Sequence, residues 1–594
     1  MRTMFFLISI LIAIAHSWTS PVAAQGGGQD QKTVDVLLQN IVAAEDGTPL
    51  AITIWKPGPD NQRYPTVLVA TPYVSDEAHP RARKYADRGY AMASLDLRGR
   101  GGSKGEFIPF SDHGTDICDA IAWIKEQPWS DDNVVMRGGS YRGMTQWMAA
   151  RSCPDEIETM IPTASVYPGY DFPIVAGHRS QKYTAGWLGF VAGSAMNPNF
   201  YTDSDYWRER TSYRDHVPFS EYDAFIGLPS EHFQTWVNRL SEPEAWAASA
   251  WEPNDYAQMH MSVLTVTGYY DGDQPGALRY FREHQEGAPQ SAAINHYLVM
   301  GPWSHGGTRE PRQKLSEGVE FGPAAVFDMD QFNLDWFDWR LGRGAKPDLL
   351  KRRIAYYVGG AEEWRYANKL DEISSERRKF YLSATPDEAY DVFRSGHLVD
   401  APVNQEEPHR FRSDPLDTSP ADLTDTDWNA IRDGSLRSTV PAYMPETLIF
   451  HSPPLDKGLT LAGQMRLRLY LEMDTPDADI FVTVYAMFPD GQPLYLGGDV
   501  VRARFRNGLK PSLVEPGVVE AYEFKNFLWN AWALPEGTRL RLTVGPYNDP
   551  SAQKNYNSGG RLGFETLDDA RVAQIKLYHS TEYPSVLEIP VVAD

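Results

Sequence analysis

"NVVMRGGSYRGM", residues 133–144, decides how this chain folds. An apolar run reaches a serine between glycines and passes straight into a second run with helical character. A strand that turns sharply into a helix presents such a serine at the edge of a sheet, where it can act as a nucleophile. The common spacing is Gly-x-Ser-x-Gly. Here Arg142 occupies the last slot and the glycine comes one residue later, at Gly143. Gly138 and Gly139 supply conformational freedom on the strand side. The competing reading of Ser140 is a serine that caps the following helix.

The surroundings favour the sheet edge. "TVLVA", "YAMASLD", "NVVMRG" and "TMIPTA" read as buried strands. "SDHGTDICDAIAWIKEQPW" places Ile117, Ile121 and Ile124 at helical spacing, with Ser111 or Asp112 as the candidate cap. "NIVAAEDGTPLAITIWKP" reads as a hairpin turning at Asp46-Gly47. Strands alternating with helices imply a mostly parallel sheet with helices on both faces, an α/β-hydrolase domain over 25–167 and 258–345. Between its halves, residues 168–257 hold five tryptophans (Trp187, Trp207, Trp236, Trp246, Trp251) and no clear strand runs, and read as an inserted helical cap. "FDMDQFNLDWFDWRLG" closes the α/β unit as an amphipathic helix. From 346 to 594 short alternating runs separated by turns predict an all-β sandwich or jelly roll. "DPLDTSPADLTDTD", 414–427, reads as a solvated acidic loop, since it lacks an EF-hand spacing for calcium.

A serine hydrolase of this architecture needs an acid and a histidine after later strands, in that order. "YYDGDQPG" offers Asp271 and Asp273 after the strand "SVLTVTG"; one suffices, and the other can cap the next helix. "HYLVMGPWSHGG" puts His296 at the start of the following strand and His305 past its end. Sites lie at the carboxyl ends of parallel strands, so His305 is preferred. The expected catalytic set is Ser140, Asp271 and His305, with no cofactor and no metal.

These stretches resemble the CocE/NonD-type serine hydrolases, the family of cocaine esterase, α-amino-acid ester hydrolases and X-Pro dipeptidyl-peptidases. The resemblance rests on "DGTPLAITIW", "TPYVSD", "DLRGRGGSKGEF", "DAIAWIKEQPWSDDNV", "GGSYRGMTQW", "GYYDGDQPGAL" and "GPWSHGG", and, in the tail, on "SPPLDKGLTLAGQMRLRLYLEMDTPDADIFVTVYAMFPDG". The family's serine motif is Gly-x-Ser-Tyr-x-Gly, which "GGSYRG" matches. The resemblance implies an oxyanion hole formed by the Tyr73 hydroxyl and the Tyr141 backbone N–H. It also implies a substrate among esters, aminoacyl compounds and short peptides. Amine recognition would need a carboxylate on the acyl side. Asp171 in "YPGYDFP" is the first candidate, with Asp203 and Asp205 behind it and a capping or solvated aspartate as the other reading. The cap and the β domain are expected to wall the pocket together. Without such a carboxylate the chain would be a plain carboxylesterase. A catalytically silent binding protein using its β domain is a remoter alternative.

The ends and the charge bound the rest. Arg2, the apolar run Met4–Ala15 and "PVAAQ" read as a signal peptide cut after Ala24, so an exported protein, periplasmic or extracellular, is expected. The net charge of −23 argues against nucleic acid, and no membrane contact is expected after processing; a homo-oligomer stays open. Cys118 and Cys153 are the two cysteines. Export would let them pair; two buried thiols is the other reading.

Overall fold

The computed structural model describes residues 34–592, apart from 59, 176–178, 181, 199–202, 241–250, 315–319, 375, 385–388, 391, 405–406 and 423–445. The expected signal peptide, Trp246 and the end of the acidic loop thus lie outside the described residues.

The hairpin forms as β1 (Asp35–Ala43) and β2 (Pro49–Lys56), with Gly47 at φ 78° in the turn. Then come β3 (Tyr64–Thr71), α1 (His79–Asp87), β4 (Ala91–Asp96), α2 (Gly114–Lys125), β5 (Ser130–Ser140), α3 (Tyr141–Ser152) and β6 (Thr159–Ser165). The N-cap of α2 is His113, which makes no side-chain cap bond, and not the expected Ser111 or Asp112; Asp112, one residue earlier, accepts the Gly114 N–H at 2.8 Å. β3, β4 and β6 are buried end to end, and β5 from Val134 to Arg137, which is why they read as continuous apolar runs.

The chain then leaves the sheet for the cap. A small ribbon, β7 (Ile174–Val175) and β8 (Arg179–Ser180), precedes α4 (Tyr183–Phe190), α5 (Asp203–Arg214), α6 (Tyr222–Phe225), α7 (Glu231–Asn238) and α8 (Pro253–Tyr256). It returns with β9 (Ser262–Tyr270), α9 (Gln274–Gly287), α10 (Gln290–Ala293), β10 (His296–Ser304) and α11 (Met329–Arg340), whose first turn is capped by Asp328.

The α/β sheet does not stop there. β11 (Ile354–Val358) pairs parallel with β10, and β12 (Glu363–Ala367) antiparallel with β11, giving the order β1-β2-β4-β3-β5-β6-β9-β10-β11-β12. The first sheet therefore runs on to Ala367, past the start expected for the β domain at residue 346. "RRIAYYVGG" is the last parallel strand of the first sheet, not the first strand of the second. All five residues of β11 are buried, and a short buried run reads the same whichever sheet it joins.

From β13 (Glu376–Ser383) to β25 (Val586–Val591), thirteen strands among the described residues hydrogen-bond, almost all antiparallel, around a separate apolar core that includes Phe380, Leu469, Val482 and Leu542. This is the expected all-β domain. The disulfide is formed: Cys118 in α2 bonds Cys153 just past α3.

Candidate active site

Ser140 sits where β5 becomes α3, at φ 64° and ψ −127°. A non-glycine residue in that region carries strain that the surrounding packing must hold. The displaced glycine has a steric reason. A Cβ on Gly143 would lie 2.9 Å from the Ser165 Cβ and 3.0 Å from its Cα, so α3 crosses the end of β6 at this residue and not one earlier. Gly138 serves the other side, since a Cβ there would lie 2.6 Å from the Arg142 carbonyl oxygen. Arg142 can occupy the usual glycine slot because Gly138 and Gly143 take the two close approaches.

β9 delivers Asp271 and Asp273, and β10 delivers His305. The His305 Nδ1–H donates to Asp271 Oδ1 at 2.8 Å, and Asp273 Oδ2 lies 3.6 Å from the same nitrogen. Asp271 is fully buried, and its Oδ1 also accepts the Asp273 N–H at 3.0 Å, which fixes the carboxylate's orientation. The Ser140 hydroxyl donates to Asp273 Oδ2 at 3.4 Å. Burial pulls the His305 pKa down, but the Asp271 and Asp273 carboxylates outweigh it and the net shift is upward. Burial, then Asp271, pushes Asp273 up to about 6 against the attraction of His305. His296 is elsewhere. It is buried in the core, bonded to Thr265 Oγ1 (2.8 Å) and His284 Nδ1 (3.1 Å).

Ser140, Asp271, Asp273 and His305 share one pocket of about 500 Å³. Tyr73 lines it, and its hydroxyl accepts from Trp187 Nε1 at 3.3 Å, leaving its own proton free to donate. Burial raises the Tyr73 pKa, so it stays a neutral donor. The Tyr141 side chain points into the core, where its hydroxyl accepts the Phe110 N–H and meets His113 Nε2, both at 2.9 Å. Its backbone N–H opens α3, where a helix has no internal acceptor for it. The apolar wall is Phe110, Val166, Phe172, Tyr183, Trp187, Phe190 and Met196, mostly from the cap. Of the other tryptophans, Trp236 packs on Phe110, Trp251 on Trp147, and Trp207 is exposed.

Two expectations need correcting. Asp171 does not line this pocket. Its Oδ1 accepts the Tyr167 N–H (2.8 Å) and its Oδ2 the Gly276 N–H (2.7 Å), so it pins the turn after β6 to the first turn of α9. Both oxygens being bound to backbone amides, the carboxylate facing the pocket is Asp273 instead. Asp203 and Asp205 lie on α5, but their side chains are outside the described residues. Nor does the β domain line the pocket among the described residues. It braces the acid-bearing turn from behind: Gln274, next to Asp273, donates to the Trp529 carbonyl (2.9 Å) and accepts the Trp529 N–H (2.6 Å). Sequence reasoning passed over Gln274, Arg142 and Arg309; the last two also line the pocket.

Asp271, Asp273 and His305 hold their ligating atoms within 4.8 Å of one another, close enough for a metal ion. However, the Nδ1 proton of His305 already occupies that space in its bond to Asp271. Next to a strained serine, the set suits proton transfer better than metal ligation.

Comparison with known proteins agrees with this geometry. Residues 46–307 match the family model for X-Pro dipeptidyl-peptidase (S15 family). Residues 346–588 match that for the X-Pro dipeptidyl-peptidase C-terminal non-catalytic domain. The chain belongs to the CocE/NonD-type serine hydrolases. A cocaine esterase of Rhodococcus sp. (strain MB1 Bresler) is 26% identical over 588 residues, 93% of this chain and 98% of that protein. Among solved structures, an aminopeptidase from a marine sediment archaeon, Thaumarchaeota archaeon, superposes with a TM-score of 0.80 at 21% identity, covering 97% of this chain and 99% of the other. An α-amino acid ester hydrolase gives a TM-score of 0.79 at 20% identity, covering 96% and 100%. The two structural likenesses concern the fold. This CocE/NonD-type chain is thus a serine hydrolase of the esterase or peptidase type.

Proposed function

We propose that this is an exported hydrolase that cleaves ester or amide bonds of α-amino acyl substrates through an acyl-enzyme on Ser140. The observation that carries the reading is the convergence of a strained serine, a carboxylate-held histidine and a second pocket carboxylate at the ends of β5, β9 and β10. In this reading His305 Nε2 takes the Ser140 proton as Oγ attacks the carbonyl, then returns it to the leaving alcohol or amine. Asp271 keeps the Nδ1–H tautomer and stabilises the imidazolium. The Tyr73 hydroxyl and the Tyr141 N–H receive the developing oxyanion. Water repeats the sequence on the acyl-enzyme.

Asp273 supplies the amine recognition first assigned to Asp171. It is buried, faces the pocket and lies within reach of the nucleophile, so a substrate ammonium beside the reacting carbonyl would find it. Ionised, it would gain an ammonium partner on the pocket side in addition to its attraction to His305 and Arg309, and an uncharged analogue would leave that contact unmade. The alternative, a plain carboxylesterase, is favoured by the apolar cap wall and the likeness to cocaine esterase.

A fluorophosphonate probe should label Ser140 in the wild type and not in Ser140→Ala. A panel of p-nitrophenyl acyl esters, aminoacyl p-nitroanilides and Xaa-Pro p-nitroanilides then decides the class. Preference for the amines over their des-amino analogues, lost in Asp273→Asn, supports the proposal; equal turnover makes the enzyme a carboxylesterase, and failure to label rules out the hydrolase mechanism. Export is tested by N-terminal sequencing of protein from the periplasm or medium, expected to begin at Gln25.

A further inference from the structure

The glycine-rich stretch "RGRGGSKGEF", residues 98–107, follows β4 and lies outside the pocket lining. Its tight turn nevertheless sends one side chain beneath the site. A Cβ on Gly101 (φ 53°) would lie 2.0 Å from Asp96 Oδ2, so the loop folds back closely on the end of β4. Arg100, just before it, turns into the interior and is fully buried. Its hydrogen-bond partners are backbone carbonyls. Nε donates to Pro72 (2.6 Å), Nη1 to Val191 (2.6 Å) and to Gly193, and Nη2 to Ala195 (3.2 Å).

These carbonyls belong to two parts of the site. Pro72 precedes Tyr73, the candidate oxyanion donor past the end of β3. Val191, Gly193 and Ala195 lie in the turn that leaves α4, between Phe190 and Met196, which both line the pocket. That turn closes around the guanidinium. The Gly101 N–H donates to the Ser194 carbonyl (2.7 Å), the Asn197 N–H to that of Phe190 (2.9 Å), and Asn197 Nδ2 to those of Gly189 and Ala192 (both 3.0 Å). α4 in turn holds the Tyr73 ring. Trp187 Nε1 donates to its hydroxyl, and the Phe190 ring packs 5.8 Å from it, centroid to centroid. The backbone before Tyr73 and the helix that grips its ring are thus tied to one side chain. A guanidinium suits the task, because its planar fork presents its donors in a fixed geometry. Ringed by carbonyls, it cannot shift without leaving several buried polar groups unpaired.

We propose that Arg100 is a positioning residue for the acyl-transfer reaction: one buried guanidinium locks the Tyr73 hydroxyl and the aromatic wall of α4 into a single unit, so that the acyl group is seated at a fixed distance from the oxyanion donor. This role rests on the reading of Tyr73 as that donor. Arg100 acts through Tyr73 and α4 and touches no reacting atom. When the turn loosens, the hydroxyl and the wall drift apart. Oxyanion stabilisation in the transition state then suffers more than ground-state binding. A purely structural tie would lower stability and leave the turnover of folded enzyme unchanged.

The test compares the full chain with Arg100→Lys, Arg100→Met, Tyr73→Phe and the double variant Arg100→Met/Tyr73→Phe on p-nitrophenyl acetate. Fluorophosphonate titration counts the active sites of each, so misfolded protein does not enter kcat. Arg100→Met should lower kcat by about 10²-fold with KM little changed, the scale of a misplacement near 1 Å. Arg100→Lys still reaches some of the carbonyls and should recover part of that loss. In the Tyr73→Phe background Arg100→Met should cost almost nothing more, because both act on one donor. Asn197→Ala loosens the same turn from its outer side and serves if Arg100→Met does not fold. It should show a smaller loss of kcat, again absent in Tyr73→Phe. Losses that multiply in the double variant, a change confined to KM, or wild-type kcat in both Arg100→Lys and Asn197→Ala would overturn the proposal. A silent Tyr73→Phe would remove the oxyanion donor and this role with it, whereas multiplied losses beside a damaging Tyr73→Phe refute the role of Arg100 alone.

Discussion

Replacing Asp273 with asparagine removes one negative charge beside His305 while preserving the side chain's shape. The magnitude follows from the separation. Asp273 Oδ2 lies 3.6 Å from His305 Nδ1. Opposite unit charges at that distance interact by about 1 kcal/mol at a dielectric constant of ~80, and by about 4–5 kcal/mol at ~20. The imidazole is 40% exposed, so screening by water favours the lower part of that range. An interaction of about 1–2 kcal/mol corresponds to roughly one pH unit. The sign is set by His305. Its pKa is raised by Asp271 and Asp273, and the base works only when neutral, so activity rises as pH climbs through that raised value. Without the Asp273 charge the imidazolium loses a partner and its pKa falls. The acidic limb of kcat/KM should therefore move about one pH unit lower in Asp273→Asn, measured on a simple p-nitrophenyl ester that needs no amine contact. Its shape should change too. In the wild type Asp273 itself titrates near 6, so two coupled protonations shape the limb, and the variant should show one. If the limb stays where it is, or moves to higher pH, Asp273 does not act on the base, and the pairing read from the geometry is wrong.

Asp271→Asn should be far more damaging, because the side-chain amide cannot accept the Nδ1–H in the same way and the tautomer is lost; equal effects of the two substitutions would undo the distinction between the aspartates. Tyr73→Phe should lower kcat by about 10²–10³ with little change in KM, as loss of one oxyanion donor does; a change confined to KM would remove Tyr73 from the oxyanion hole. The disulfide closes a separation of 35 residues, for which loop entropy predicts about 4 kcal/mol of stability; Cys118→Ser/Cys153→Ser should lose roughly that in denaturant melts and keep its turnover at low temperature. Two titratable thiols in denatured, unreduced wild-type protein would contradict the bond. Gly143→Ala should cost about 1–3 kcal/mol, as overpacking does, because its methyl meets Ser165; a neutral effect would mean that the displaced glycine answers no close approach.

The order of the chain's elements and the site's main residues were legible in the sequence for a physical reason. Parallel strands buried on both faces are written as unbroken apolar runs, and their carboxyl ends are where loops converge. Ser140, Asp271 and His305 each follow such a run, and so could be named without coordinates. His296, at the start of the same strand as His305, could be set aside on the same ground, and it lies in the core. The disulfide remained open, since two cysteines state their number and not their separation; packing α2 against α3 brings their Cα atoms to 6.0 Å. That the first sheet runs on past residue 346 was not legible, because a short buried strand reads the same whichever sheet it joins, and only pairing put Ile354–Val358 beside β10. Asp171 and Asp273 could not be told apart by type or spacing. A carboxylate's role depends on which donors surround it, and these come from residues distant in the chain. Tertiary packing gave Asp171 the Gly276 N–H, 105 positions away, and turned Asp273 to the nucleophile, 133 positions away. The sequence alone determined which residues stand at the strand ends; three-dimensional packing decided what each one faces, because burial and hydrogen-bond partners are set by neighbours in space.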